Sequence, residues 1–285
     1  MYKIISRNFI LRILIFIKPV MRFFILNIRK FLKFFLLFIL KYLRYKPFKV
    51  HIFSDELKKN HFIKFNDIKI NYSASSELCF RRWQAFEKDG KEKDTINWIN
   101  NFEKESIFYD IGANVGVFSL YAAIKKKCKV YSFEPEPNSF IDLYNSIKIN
   151  KDIDVLAMLI PLDDEKNTNF FNLNNNFVSG YSGHIFGDPI NGKLSYGICS
   201  DTIKNLIMNN IIKSPDYIKI DVDGTEIKIL NGMESLWSDS KLKSILIEFN
   251  NTKDINYYSE FLNKFGFFLS QRPNGNNLNY IFSRK

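Results

Sequence analysis

Apolar and polar positions along this 285-residue chain keep three different rhythms. Over residues 1–46, short apolar runs are punctuated by single cations, as in FILRILIFIK, MRFFILNIRK and FLKFFLLFILK. At about 100° per residue, Arg7, Arg12, Lys18, Arg22, Arg29, Lys30, Lys33, Lys41 and Arg44 share an arc of roughly 160°. Ile, Leu and Phe fill the opposite arc. This spacing predicts a cationic amphipathic helix, started or kinked at Pro19 and stopped at Pro47. Residues 48–75 read as a linker carrying a short strand pair, FIKFNDIKINY. From Ser76 to Phe102 the pattern turns helical, with Leu78, Trp83 and Phe86 followed by Thr95, Ile96, Trp98, Ile99 and Phe102.

Beyond residue 103, strand-like and helix-like segments alternate. Strands are predicted over 106–112, 129–135, 154–160, 217–223 and 244–250. Helices are predicted over 115–127, 137–150, 201–209 (capped by Ser200), 225–231 and 254–265, with terminal strands over 266–271 and 278–283. Residues 163–197 are polar, rich in Asn and Gly and without a period, which suits β-hairpins in a substrate-facing insertion. Continuously apolar strands joined by helices predict an α/β fold: a mostly parallel, Rossmann-like sheet of seven strands with helices on both faces. The expected organisation is a basic helical segment over 1–47, a linker and N-terminal cap over 48–102, and the catalytic domain over 103–285.

Charge changes the picture. The formal net charge is +11, from 41 basic and 30 acidic residues. Twelve of the basic residues lie in residues 1–49, ahead of the first acid, Asp55, so 29 basic residues face 30 acidic ones in the remainder. The body is nearly neutral, so no nucleic-acid partner is expected. The N-terminal helix has the character of an element lying on an anionic membrane surface. Two other readings stay open: packing on the domain, or a span through residues 23–43 that buries Arg29, Lys30 and Lys33. Cys79, Cys128 and Cys199 form no paired motif and are expected to be packing residues.

The candidate chemistry begins at Asp110-Ile111-Gly112-Ala113-Asn114-Val115-Gly116, where the first core strand turns into a helix. Glycines there permit left-handed backbone and close approach of a ligand, in the crevice at the carboxyl ends of the strands. Neither a third glycine at dinucleotide spacing nor the Gly-Lys-Ser/Thr of a phosphate loop is present. The second strand ends in Glu134, whose carboxylate can accept both hydroxyl protons of a ribose. Turn and acid together indicate an adenosine ligand, with a nicotinamide dinucleotide and S-adenosyl-L-methionine equally possible at this point.

The runs FYDIGANVGVFSLYAA, VYSFEPEPNSF, DYIKIDVDGTEIKILNGMESL and SILIEFN resemble the FkbM family of S-adenosyl-L-methionine-dependent methyltransferases. With WQAFEKDGKEKDTINWI upstream, the resemblance covers roughly residues 78–270 in order. It implies the class I methyltransferase fold, whose sheet usually closes with an antiparallel pair. It implies methyl transfer, usually to a hydroxyl oxygen of a sugar or a polyketide-like product. Carried across position by position, it places Asp110, Gly112, Asn114 and Gly116 along the methionine and adenosine portions of the cofactor. Glu134 falls on the ribose, and the turn at Leu162 and Asp163 near the adenine, although LIPLDDEK departs from the small-residue pattern usual there.

An alcohol acceptor must lose its proton as it attacks, so a general base is expected. The candidates are Asp221 and Asp223 at the end of the fourth strand, Glu226 in the helix that follows, Glu248 at the end of the fifth strand, and His184 in the glycine-rich stretch. Asp221 is favoured, with Glu248 and His184 beside it, and Glu226 suits a helix N-terminus as well as it suits chemistry. Asp221, Asp223 and Glu248 are also oxygen ligands that a divalent cation such as Mg²⁺ accepts, but no metal spacing is compelling and a metal is not favoured. The expected activity is O-methylation of a sugar hydroxyl on a glycan or glycolipid, at the cytoplasmic face of the cell membrane. The competing readings are a nicotinamide-dependent oxidoreductase and a non-catalytic cofactor-binding scaffold.

Overall fold

The computed structural model describes residues 61–65, 67–87, 92–174, 178–249, 255–273 and 278–285, together with Ile28, Phe31 and Leu32. The chain divides into Met1–Glu56 and Leu57–Lys285. In the first unit the three described residues are helical, and the rest of the amphipathic segment expected over 1–46 lies outside the described residues. Among the described residues no helix is long and apolar enough to cross a membrane.

The second unit opens with an antiparallel hairpin, β1 (His61–Phe65) and β2 (Ile68–Tyr72), followed by α1 (Glu77–Glu87) and α2 (Lys93–Asn100). The alternating units follow: β3 (Ile107–Ile111), α3 (Val117–Lys126), β4 (Lys129–Phe133), α4 (Pro137–Ile149) and β5 (Asp154–Met158). The insertion forms β6 (Thr168–Asn172), β7 (Ile185–Gly187) and β8 (Ser195–Cys199), a three-stranded antiparallel sheet in the order β7-β6-β8. The chain returns through α5 (Ile203–Met208), β9 (Tyr217–Ile220), α6 (Glu226–Asn231), a single 3-10 turn and β10 (Ser244–Glu248). It closes with α7 (Ile255–Asn263), β11 (Phe267–Gln271) and β12 (Asn279–Arg284).

The main sheet has seven strands in the order β11-β12-β10-β9-β3-β4-β5. Pairing is parallel from β10 through β5, and β12 runs antiparallel between β10 and β11. From β3 the chain winds one way through β4 to β5 and then returns to β9 on the other side of β3, so the ends of β3 and β9 open a crevice at the switch of strand order.

Strand alternation divides the apolar residues between two faces. Tyr109, Ile111, Phe133, Ile218 and Ile220 face one core, with residues of α5, α6 and α7. Phe108, Val130 and Leu246 face the other, together with Trp83, Phe86, Trp98 and Ile99 from α1 and α2. The hairpin and first two helices therefore share the sheet's core. The Trp98 indole N–H reaches across to the Ser244 hydroxyl at 2.9 Å. Cys79 and Cys128 are buried as expected, whereas Cys199 is exposed on β8. The α5 cap also differs from expectation: Thr202 Oγ1 accepts from the Asn205 amide at 2.9 Å, while Ser200 Oγ accepts from the Asn167 amide.

Candidate functional site

The turn from β3 into α3 lies directly against the end of β9. Gly112 has φ of +77°, and a Cβ there would sit 1.9 Å from the Asp221 carbonyl oxygen. Gly116, at φ +84°, is needed for a different reason: its Cβ would meet Leu143 Cδ1 at 2.3 Å, so it allows α3 to pack on α4. Between them Asn114 is also left-handed, at φ +51°. Its backbone N–H donates to Glu134 Oε2 at 2.7 Å, and its Nδ2 donates to the Tyr181 carbonyl at 3.0 Å.

Glu134 is thus fixed by the turn that precedes it in space. Its second oxygen, Oε1, accepts the Glu136 amide at 2.7 Å. Burial pushes its carboxyl up to about 8, against the pull of these two backbone donors. A buried carboxylate held in this way is completed by further hydrogen-bond donors, and the two hydroxyls of a ribose are suitable ones.

Glu134, Gly112 and Asn114 line a cavity of about 290 Å³, to which Phe133, Ile160 and Leu162 add an apolar side. A second cavity of about 640 Å³ adjoins it and shares Arg82, Gly112, Asn114, Asp221 and Asp223. The insertion closes the cleft. Ser179 donates to Asp142 Oδ2 at 2.6 Å, Gly180 N–H to Ser139 Oγ at 3.0 Å, and Gly183 N–H to Asp223 Oδ2 at 2.6 Å. With the Asn114–Tyr181 bond, these pins stretch residues 179–184 across the cavity, and Phe171, His184 and Phe186 face into it from the same side.

Three expected cofactor residues stand elsewhere: Gly116 at the packing of α3 on α4, Asp110 and Asp163. Asp110 is fully buried and lines neither cavity. Parallel register sets it beside Ser132 on β4 and Lys219 on β9, all three on the α3 face of the sheet. Its Oδ2 accepts from Ser119 Oγ at 2.5 Å, and Lys219 Nζ lies 4.0 Å from its Oδ1. Its role is to hold α3 and Lys219 under the turn. Asp163 is buried too, but it turns to Lys228 on α6 at 3.3 Å, leaving its neighbour Leu162 on the cavity wall.

The expected bases do come together. Asp221 and Glu248 end adjacent parallel strands and line the first cavity. Lys219, almost wholly buried, places Nζ 2.5 Å from Asp221 Oδ2. Burial alone would raise Asp221, but this ammonium overrides it and holds the carboxyl below the usual range. Burial and the Asp221 charge push Glu248 up to about 8. At neutral pH Glu248 therefore keeps its proton beside the ionised Asp221. Asp223 instead accepts the Gly183 amide, and Glu226 the Gly224 amide at 3.1 Å.

His184 reaches the cavity as a donor. Its Nδ1 accepts the Asn174 amide at 3.2 Å, so the ring proton is assigned to Nε2, which is buried and without a partner among the described residues. Burial lowers its pKa and keeps the ring neutral. Among the described residues no group of three or more His, Cys, Asp or Glu is arranged to hold a metal.

Two contributors were not singled out in the sequence. Lys219 could have been suspected as a charge inside the otherwise apolar strand YIKI. Arg82 on α1, which lines both cavities, carries no such signal.

A family model described as methyltransferase FkbM domain matches residues 110–271. The chain is similar to hexuronic acid methyltransferase AglP of Haloferax volcanii, 26% identical over 153 residues, which are 50% of this chain and 56% of that protein. It is similar to a tRNA (guanine(37)-N(1))-methyltransferase of Dictyostelium discoideum, 30% identical over 107 residues, which are 38% of this chain and 22% of that protein. Its match thus spans well under two thirds of either relative. Among solved structures, methyltransferase FkbM of Methylobacillus flagellatus aligns at 16% identity with a TM-score of 0.46, covering 64% of this chain and 44% of that one.

Proposed function

The chain belongs to the FkbM methyltransferase family, and from that premise we propose that it transfers a methyl group from S-adenosyl-L-methionine to a hydroxyl oxygen on a sugar of a glycan or glycolipid. The family match favours this cofactor over a nicotinamide dinucleotide, which the turn and Glu134 alone left equally possible. The observation that carries the reading is Glu134, a buried carboxylate fixed by two backbone N–H groups on the wall of a cleft at the switch of strand order. In this role Glu134 binds the ribose, Gly112 and Asn114 bring backbone against the nucleoside, and Phe133, Ile160 and Leu162 enclose the adenine.

Bound there, S-adenosyl-L-methionine supplies a sulfonium methyl carbon that an oxygen can displace in line. Residues 179–184 exclude water and hold the acceptor against the cofactor. The acceptor hydroxyl attacking that carbon would give its proton to the Asp221–Glu248 pair. His184 Nε2–H donates to an acceptor oxygen and positions it.

A sugar acceptor is supported by the likeness to a hexuronic acid methyltransferase and by the aromatic residues and donors that the insertion presents. The tRNA methyltransferase likeness favours a second reading, a nucleic-acid acceptor, but a body with 29 basic and 30 acidic residues lacks the charge that a phosphate backbone attracts. The reading includes a location, the cytoplasmic face of an anionic membrane, supported by the twelve cations of residues 1–49.

The test is incubation with methyl-labelled S-adenosyl-L-methionine and separate glycan, lipid and tRNA fractions. A labelled, alkali-stable methyl ether on a sugar is expected. Label found in tRNA alone sinks the sugar reading. Cofactor binding with no label in any fraction supports the scaffold instead.

A further inference from the structure

Four acidic groups of the cleft are held by partners in the protein: Glu134 by two amides, Asp221 by Lys219, Asp223 by the Gly183 amide, and Glu92 by Thr95 and Asn279. Arg82 is different. Its Nε donates to the Gly180 carbonyl, which fixes the guanidinium plane against residues 179–184. Among the described residues it forms no ion pair, whereas its neighbour Arg81 pairs with Glu77 at 2.7 Å on the outer side of α1. Arg82 lines both cavities, where they share Gly112, Asn114 and Asp221. Its charge acts through space on Glu134, Asp221 and Asp223, without bonding to any of them.

A half-buried guanidinium whose terminal N–H groups have no partner among the described residues calls for an anion, since taking a cation out of water is costly unless it is paired. The planar fork of two terminal amino groups matches the two oxygens of a carboxylate. The same cavity presents a second unpartnered donor, His184 Nε2.

We propose that Arg82 is the receiver for a carboxylate carried by the molecule bound in the cleft. The proposal rests on the reading that this cleft binds S-adenosyl-L-methionine and its acceptor. Two sources supply that chemistry: the amino-acid end of the cofactor, and an acid group on the acceptor sugar. Either way the guanidinium is held from behind by the Gly180 carbonyl, so the insertion and α1 together set the height at which the carboxylate sits.

The experiment is calorimetric titration of the full chain and its R82M and R82K variants with S-adenosylhomocysteine and with methylthioadenosine, which lacks the amino acid. A second arm titrates the S-adenosylhomocysteine-loaded proteins with methyl glucuronide and methyl glucoside. If the cofactor is the source, R82M weakens S-adenosylhomocysteine roughly 10- to 100-fold, R82K recovers part of the loss, and methylthioadenosine binds all three proteins alike. If the acceptor is the source, the nucleosides are unaffected, and a preference for glucuronide over glucoside in the parent chain is lost in R82M. The proposal is overturned if R82M weakens both nucleosides equally, or if it changes neither them nor a glucuronide preference. Methylthioadenosine binding reports that each variant is folded. Failure of the parent chain to bind either nucleoside is a failure of the cofactor reading, and is seen separately.

Discussion

The Lys219 ammonium lies 2.5 Å from the carboxylate of Asp221, two residues on and just past the end of β9, at the floor of the cleft. This contact governs the pair that Asp221 makes with Glu248. An ion-paired carboxylate held below its usual range is a weak base, whereas Glu248, pushed up to about 8 by burial and by the Asp221 charge, holds its proton at neutral pH. Below about 8 the pair is occupied, and as pH rises through that value Glu248 ionises and proton-accepting capacity grows. Methyl transfer, followed with labelled cofactor, is therefore expected to climb from pH 6.5 towards 8.5. Glu248→Gln removes that climb, and Asp221→Asn lowers turnover about 10²- to 10⁴-fold while leaving cofactor affinity unchanged. An unaltered profile in Glu248→Gln rules out the Glu248 proton as its cause.

Lys219 is also a matter of stability. Its side chain is 1% exposed, between Asp221 and Asp110 and over the Phe118 ring. Lys219→Met keeps much of the volume but leaves the buried Asp110 and the part-exposed Asp221 without their cation, which is expected to cost about 3 kcal/mol, the lower end for a buried pair. Urea denaturation measures this. A loss below about 1 kcal/mol would show that the pairing is no stronger than a surface ion pair.

Cofactor affinity is expected to depend on pH through Glu134. The free carboxyl is raised to about 8, and only its ionised form accepts two ribose hydroxyl protons. Below that value binding must expel a proton, so the S-adenosylhomocysteine Kd tightens as pH rises from 6.5 to 8 and levels off above it. Calorimetry in buffers of different ionisation enthalpy reads the released proton directly. Glu134→Gln weakens binding and flattens the dependence.

How much of this was legible beforehand follows from what each pattern reports. Strands buried on both faces read as apolar runs, so the core strands stood out, and DIGANVG followed by Glu134 marked the correct end of the sheet. The face on which a strand-end acid lies is decided by the neighbouring strand. Asp110 is turned onto the α3 face because Ser132 and Lys219 flank it in register, and a linear sequence contains no such register. Asp163 looked like a cleft residue by position, yet Lys228 draws it outward. Arg82 lies on an amphipathic helix where any exposed face carries arginines, and only the fold brings it to the cleft. The cap of α5 moved from Ser200 to Thr202 because an isolated bridge between Leu162 and Asp201 keeps the chain extended two residues longer.

The glycines offer a graded test of the turn. Gly112→Ala combines left-handed backbone with a Cβ 1.9 Å from the Asp221 carbonyl, against backbone that cannot give way. Gly192 has nearly the same φ, +78°, but nothing within 4 Å. Gly192→Ala should therefore cost only the conformational term, about 1–2 kcal/mol, and leave S-adenosylhomocysteine binding intact. Gly112→Ala should lose binding and several degrees more in Tm. Equal shifts for the two would mean that strain alone, and not the contact with β9, makes Gly112 necessary.

The uneven charge yields the last expectation. Residues 1–49 hold twelve cations and no acid, while the remainder is close to neutral. An amphipathic helix with one cationic arc gains on the order of 1 kcal/mol for each Lys or Arg near an anionic bilayer, and that attraction is screened by salt over roughly 10 Å. The full chain should therefore float with vesicles of mixed neutral and anionic lipid at low salt. It should release at high salt, and bind poorly to vesicles of neutral lipid alone. Replacing Arg29, Lys30 and Lys33 by Gln separates the three arrangements of this segment. A surface helix loses affinity, a helix packed on the domain loses little because it never reached the lipid, and a spanning helix binds neutral vesicles better once its interior charges are gone. A full chain that stays at the bottom of the gradient with anionic vesicles removes the membrane from the proposal and leaves the cleft chemistry as it stands.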